Sequence, residues 1–88
     1  MSDKVAGFRE MLALARKENI HAIKLVILMY LEGQGTIQNY VEAIKSAKVG
    51  ADRGDVETIA QLGMMYADGI GVDQSFTKAR EWLTKAAS

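Results

Sequence analysis

Two segments thirty-six residues apart, Tyr30-Leu31-Glu32-Gly33-Gln34-Gly35 and Tyr66-Ala67-Asp68-Gly69-Ile70-Gly71, follow one pattern: tyrosine, any residue, acid, glycine, any residue, glycine. The same offset joins Ala15 to Ala51, Asn19 to Asp55, Ile23 to Ile59, Met29 to Met65, Asn39 to Ser75, Tyr40 to Phe76 and Ala43 to Ala79. A register held this long marks a duplicated unit, and such units are stable only when each stacks its apolar face on the next. With 88 residues the chain makes one domain, too small for an enzyme with a separate cofactor domain. An apolar content of 49% supports a packed core and argues against disorder.

Each unit reads as two helices. Asn19 and Asp55 precede apolar-periodic stretches and are placed to accept from first-turn amides as N-caps. Ile23, Val26, Ile27 and Tyr30 then fall on one helix face, as do Ile59, Leu62, Gly63 and Tyr66 one unit later. The glycine pairs Gly33/Gly35 and Gly69/Gly71 end these helices and turn the chain. Asn39 and Ser75 cap the second helices, and in the last of them Phe76, Ala79, Leu83 and Ala86 or Ala87 are expected to be buried, with Lys78, Glu81 and Lys85 outward. Residues 3–16, with Phe8, Met11, Leu12 and Ala15 at helical spacing, form a leading helix. Five helices result.

The second unit carries Gly54-Asp55, Leu62-Gly63, Tyr66, Gly69-x-Gly71-Val72, Lys78-Ala79, Trp82 and Lys85-Ala86-Ala87. It resembles a Sel-one-like repeat, a relative of the tetratricopeptide repeat, and the first unit resembles a divergent copy that keeps Ala22, Tyr30, Gly33, Gly35 and Ala43. That resemblance implies an all-α, right-handed α/α solenoid: a leading helix, a first repeat over about residues 17–50 and a second over about 51–88. It also implies a bacterial protein-interaction scaffold that often regulates or inhibits what it binds, and it places Trp82 in the packing between helices. The first unit departs at Ile27, where glycine is usual, which is expected to alter the helix spacing. It departs again at Ser46 and Val49, opposite Trp82 and Lys85 of the second, and the second unit's own loop has Asp73 and Ser75 where proline and aspartate are frequent.

Little in the chain supports catalysis. Cysteine is absent, which removes disulfides and thiolate chemistry, and His21 is the single histidine, so neither a metal site nor a nucleophilic triad can be assembled. The hydroxyls Ser2, Thr36, Ser46, Thr58, Ser75, Thr77, Thr84 and Ser88 have no histidine base in register. Gly69-Ile70-Gly71 follows a helix, whereas a phosphate cradle leads into one. The chain is expected to be no enzyme and to hold no metal or other cofactor. Eleven basic residues balance eleven acidic ones without a run of either sign, which disfavours nucleic acid as a partner. The longest apolar run, Leu25 to Leu31, is far short of the roughly 18–20 residues that cross a bilayer, so no membrane partner is expected. The amino-terminal residues lack a secretory pattern, and a cytoplasmic location is expected.

The informative feature is the helix face opposite the buried stripe. Leu25, Leu28 and Met64, rimmed by Lys24, Glu32, Gln61 and Asp68, are expected to line the concave side and grip a protein partner, with Met29 and Met65 as candidate additions. The function expected is that of a small adaptor, inhibitor or immunity-type protein. The alternative is a homo-oligomer, such as a homodimer, that stacks through terminal helices, since the end at Lys85-Ala86-Ala87-Ser88 carries no extra capping helix.

Overall fold

The structure, a computed structural model, describes residues 3–17 and 19–88; Met1, Ser2 (one of the hydroxyls considered above) and Glu18 lie outside the described residues. Among the described residues there are five helices and no strand: α1 (Asp3–Arg16), α2 (Ile20–Glu32), α3 (Tyr40–Asp52), α4 (Val56–Asp68) and α5 (Phe76–Ala87). Each helix packs extensively only on the helix before it and the helix after it, which gives an elongated body of 44 × 23 × 14 Å. The architecture is the all-α solenoid that the family resemblance implies.

The four anticipated caps are formed. Asn19 Oδ1 accepts from the Ala22 amide at 3.1 Å and Asp55 Oδ2 from the Thr58 amide at 2.9 Å. Asn39 Oδ1 accepts from the Glu42 amide at 3.1 Å and Ser75 Oγ from the Lys78 amide at 3.2 Å. Each satisfies an amide that the first helical turn leaves without an intrahelical partner. The turns between paired helices are duplicates of one another. Gly33 and Gly69 take left-handed conformations, and the next amides, of Gln34 and Ile70, close on Met29 O and Met65 O at 3.0 and 2.9 Å. The Asn39 and Ser75 amides then donate to Tyr30 O and Tyr66 O, both at 2.9 Å.

The second glycine of each turn sets the stack. A Cβ on Gly35 would run into Lys4 O, and one on Gly71 would run into Tyr40 O. Each turn therefore rests on the start of the helix that precedes its own unit. Lys4 and Tyr40 are themselves thirty-six residues apart, so α1 stands in the place of a second helix, equivalent to α3 and α5. Phe8 of α1 supports this placement, being buried and meeting Tyr30 edge to face with ring centroids 5.2 Å apart.

The core joins α2, α3 and α4 through Ile23, Ile27, Ile44, Ala47, Ile59 and Leu62, with Ala79 entering from α5. Ile27 is fully buried, and the α3 positions equivalent to those that face Gly63 in the second repeat are the small Ala43 and Ala47, both also fully buried. Trp82 is half-buried against this core, as expected of a packing residue. One expected core face needs correction. Phe76 is 68% exposed and Leu83 38% exposed, whereas Ala79, Trp82 and Ala86 face the core. With about 100° between successive residues, the stripe of α5 that meets α4 is centred on Ala79, Trp82 and Ala86. Phe76 and the exposed Ala87 lie toward the side that α4 leaves uncovered, since α5 packs extensively on α4 alone, and Leu83 sits at the rim of the stripe with its Cγ against Gly63 of α4.

Candidate protein-interaction surface

Positions 21, 25, 28 and 32 of α2 recur thirty-six residues later as 57, 61, 64 and 68 of α4, and all eight lie on the faces turned away from the core. Leu25, Leu28 and Met64 are 45%, 46% and 53% exposed. Glu32 and Asp68 are exposed at the carboxyl ends of their helices, and Lys24 and Gln61 are half-buried. The burial stripe explains this directly: Ile23, Val26 and Ile27 of α2 and Ile59, Leu62 and Gly63 of α4 point inward, which leaves the opposite side outward at helical periodicity. Met65 does not join the strip, because it belongs to the inward stripe and is 3% exposed. Met29 is half-buried.

A cross-repeat ion cluster ties these two faces together. Lys24 Nζ of α2 donates to Glu57 Oε2 at 3.1 Å and lies 3.2 Å from Asp55 Oδ1 at the start of α4. The hydrogen bond that Lys24 donates to Glu57, with that to Asp55, raises the Lys24 pKa against the opposing effect of burial. Burial acts to raise the Asp55 carboxyl, but the hydroxyl and amide of Thr58 and the Lys24 ammonium outweigh it and hold the group below the usual carboxylate range. Thr58 Oγ1 donates to Asp55 Oδ2 at 2.6 Å, so the buried hydroxyl of Thr58 is bonded to the cap. Lys24 is therefore engaged within the chain, and the rim charges that face outward are Glu32 and Asp68. Sequence reasoning singled out Lys24 as a rim residue and Asp55 as a cap and missed that they meet, together with Glu57, since the contact spans two repeats.

It also missed a pair of clamps. Gln38 Nε2 donates to Leu31 O at 2.7 Å and Gln74 Nε2 to Ala67 O at 2.8 Å, each stitching a turn to the last carbonyls of the preceding helix. The offset of thirty-six between the two glutamines was the available signal. His21 is exposed. Among the described residues, no group of three or more His, Cys, Asp or Glu side chains is arranged to hold a metal ion, and no helix is long and apolar enough to cross a membrane.

The Sel1 repeat profile matches residues 22–55 and 56–88, most of the chain. The protein belongs to the Sel1 repeat family. Its backbone is similar to the crystal structure of a Sel1 repeat protein from Oxalobacter formigenes, with 26% identity, a TM-score of 0.89 and coverage of 94% of this chain and 34% of that one. It is also similar to c5321, a protective antigen of uropathogenic Escherichia coli strains that displays the same repeat fold, with 29% identity, a TM-score of 0.90 and coverage of 94% of this chain and 18% of that one. The chain thus spans about a third and under a fifth of these two solved proteins. No curated protein matches it significantly. Sel1 repeats are generally protein–protein interaction modules, and the family is a non-catalytic scaffold family.

Proposed function

We propose that this Sel1 repeat chain is a non-enzymatic binding module that grips a protein partner through the outward faces of α2 and α4, acting as a small bacterial adaptor, inhibitor or immunity-type protein in the cytoplasm. The observation that carries the proposal is the exposure of Leu25, Leu28 and Met64 at repeat-related positions. Large apolar side chains grouped in this way, with acidic residues at the edge, have the composition of an interface rather than of ordinary surface. The Lys24 cluster supports it by holding α2 and α4 in fixed register, so that partner binding would order few new groups.

The double variant Leu28→Glu/Met64→Glu tests it. Both side chains are about half exposed, so the melt should stay within roughly 0.5 kcal/mol per site of wild type. Capture of a partner from host lysate should fall at least tenfold, on the order of one interface hot spot. Undiminished capture by the folded variant, or loss of folding, would remove the assignment.

A second reading, self-association, is favoured by one observation. The edge of the α4–α5 junction carries a shallow depression of about 540 Å³ lined by Ala67 of α4 and by Phe76, Ala79, Arg80 and Leu83 of α5 among others. Arg80 stands where α1 and α3 carry Phe8 and Ile44, which makes this end more polar than an internal junction. Sedimentation over a concentration series separates the two readings, because stacking through α5 requires a dimer that Phe76→Glu dissolves.

A further inference from the structure

Ser46 and Val49 of α3 occupy the repeat positions of Trp82 and Lys85 of α5. In the second repeat the indole lies half-buried against the core, and the Lys85 ammonium sits 4.5 Å from its ring centroid. In the first repeat no indole is present, and a groove of about 240 Å³ opens there between α1, α2 and α3, lined by Leu12, Arg16, Ile23, Val26, Ser46 and Val49 among others. Its walls Ile23 and Val26 are the counterparts of Ile59 and Leu62, which belong to the core cluster that Trp82 packs on. The groove is therefore the concavity that tryptophan fills one repeat later.

We propose that this groove is a binding site for a tryptophan side chain presented by a peptide segment of a protein partner. The volume lies below the roughly 300–1,000 Å³ usual for small-molecule sites and suits one side chain. The Ser46 hydroxyl is a hydrogen-bond acceptor for an indole N–H, and the Arg16 guanidinium at the wall can stack on the ring as Lys85 stacks on Trp82. Ile23 and Val26 lie on the side of α2 opposite Leu25 and Leu28 at about 100° per residue. The site is thus separate from the surface proposed above and stands or falls independently of it.

The full chain with labelled methyl groups is titrated with N-acetyl-tryptophanamide, and with N-acetyl-leucinamide as comparison, while methyl shifts are followed. The tryptophan amide should give saturable shifts at Leu12, Ile23, Val26 and Val49, with the leucine amide about tenfold weaker. Ser46→Trp, which supplies the missing side chain from within, should raise Tm and abolish the shifts. Val49→Gln, at a 41% exposed wall position, should weaken binding several-fold in a folded protein and serves if Ser46→Trp does not fold. Equal response to both amides, no saturation, or persisting shifts in folded Ser46→Trp would overturn the proposal. So would concentration-dependent shifts of the same methyls without any amide, which would show a second copy of the chain in the groove.

Discussion

In the second repeat α5 comes close to α4 because Gly63 has no side chain: a Cβ there would sit 2.8 Å from Leu83 Cγ and 3.2 Å from Ala79 O. In the first repeat the same two positions hold Ile27 and Ala47, so the large residue stands on the first helix of the pair and the small one on the second. The two repeats reach a packed interface with opposite assignments of bulk, consistent with cores that conserve total volume rather than individual side chains. The difference teaches that a repeat signature is a statement about pairs. Glycine at the family's usual position is needed where leucine faces it and dispensable where alanine does. Ser46 against Trp82 is the contrasting case, in which the loss of bulk on α3 has no compensating gain and leaves open space.

The contrast can be broken first at Ile27. This side chain is fully buried, and Ile27→Ala should cost about 2–5 kcal/mol in chemical denaturation, whereas Leu83→Ala, at a 38% exposed position, should cost clearly less. Equal losses would contradict the assignment of bulk. Next, Gly63→Ile imports the first repeat's residue without its partner and should destabilise by about 1–3 kcal/mol through overpacking. Adding Leu83→Ala completes the exchange and should return most of that loss; strict additivity of the two changes would mean that the pair does not interact.

A smaller effect sharpens the comparison of caps. The first repeat uses neutral Asn19 ahead of Ala22, whereas the second uses Asp55 with both the Thr58 hydroxyl and Lys24 bonded to it. Asp55→Ala should cost about 1 kcal/mol. Because the Asp55 carboxyl is held below its ordinary pKa, its stabilisation is complete above the unfolded value of about 3.9 and disappears as pH falls through the lower folded value. Asp55→Asn, which substitutes the first repeat's cap, should therefore melt below wild type at pH 6 and converge with it as pH drops under about 4. A constant gap across that range would assign the effect to something other than charge. Asn19→Asp probes the reverse exchange and, with Ala22 where the second repeat has the Thr58 hydroxyl, should recover little of this pH dependence.

Most of the fold was legible because it is written in local chemistry. Asn19, Asn39, Asp55 and Ser75 cap where their side chains suggest, and Gly33 and Gly69 turn left-handed where periodicity ends. Phe76 was misplaced because a helix with one neighbour has one buried stripe, and the apolar residues of α5 are numerous enough to suggest a wider one. Which of several apolar positions faces a neighbour depends on how many neighbours exist, a property of the stack rather than of the segment. The exposed positions Leu25, Leu28 and Met64 were readable from helical periodicity. The junction of Lys24 with Asp55 and Glu57 was not, because it depends on how far one repeat is displaced along the next.

The chain of contacts running only from each helix to its neighbours also governs how the molecule comes apart. Among the described residues the extensive packing runs only between successive helices, with the lysine reaching from α2 to the start of α4, so opening can advance helix by helix. In hydrogen exchange, protection should therefore change from one helix to the next along the stack rather than all at once across α1 to α5.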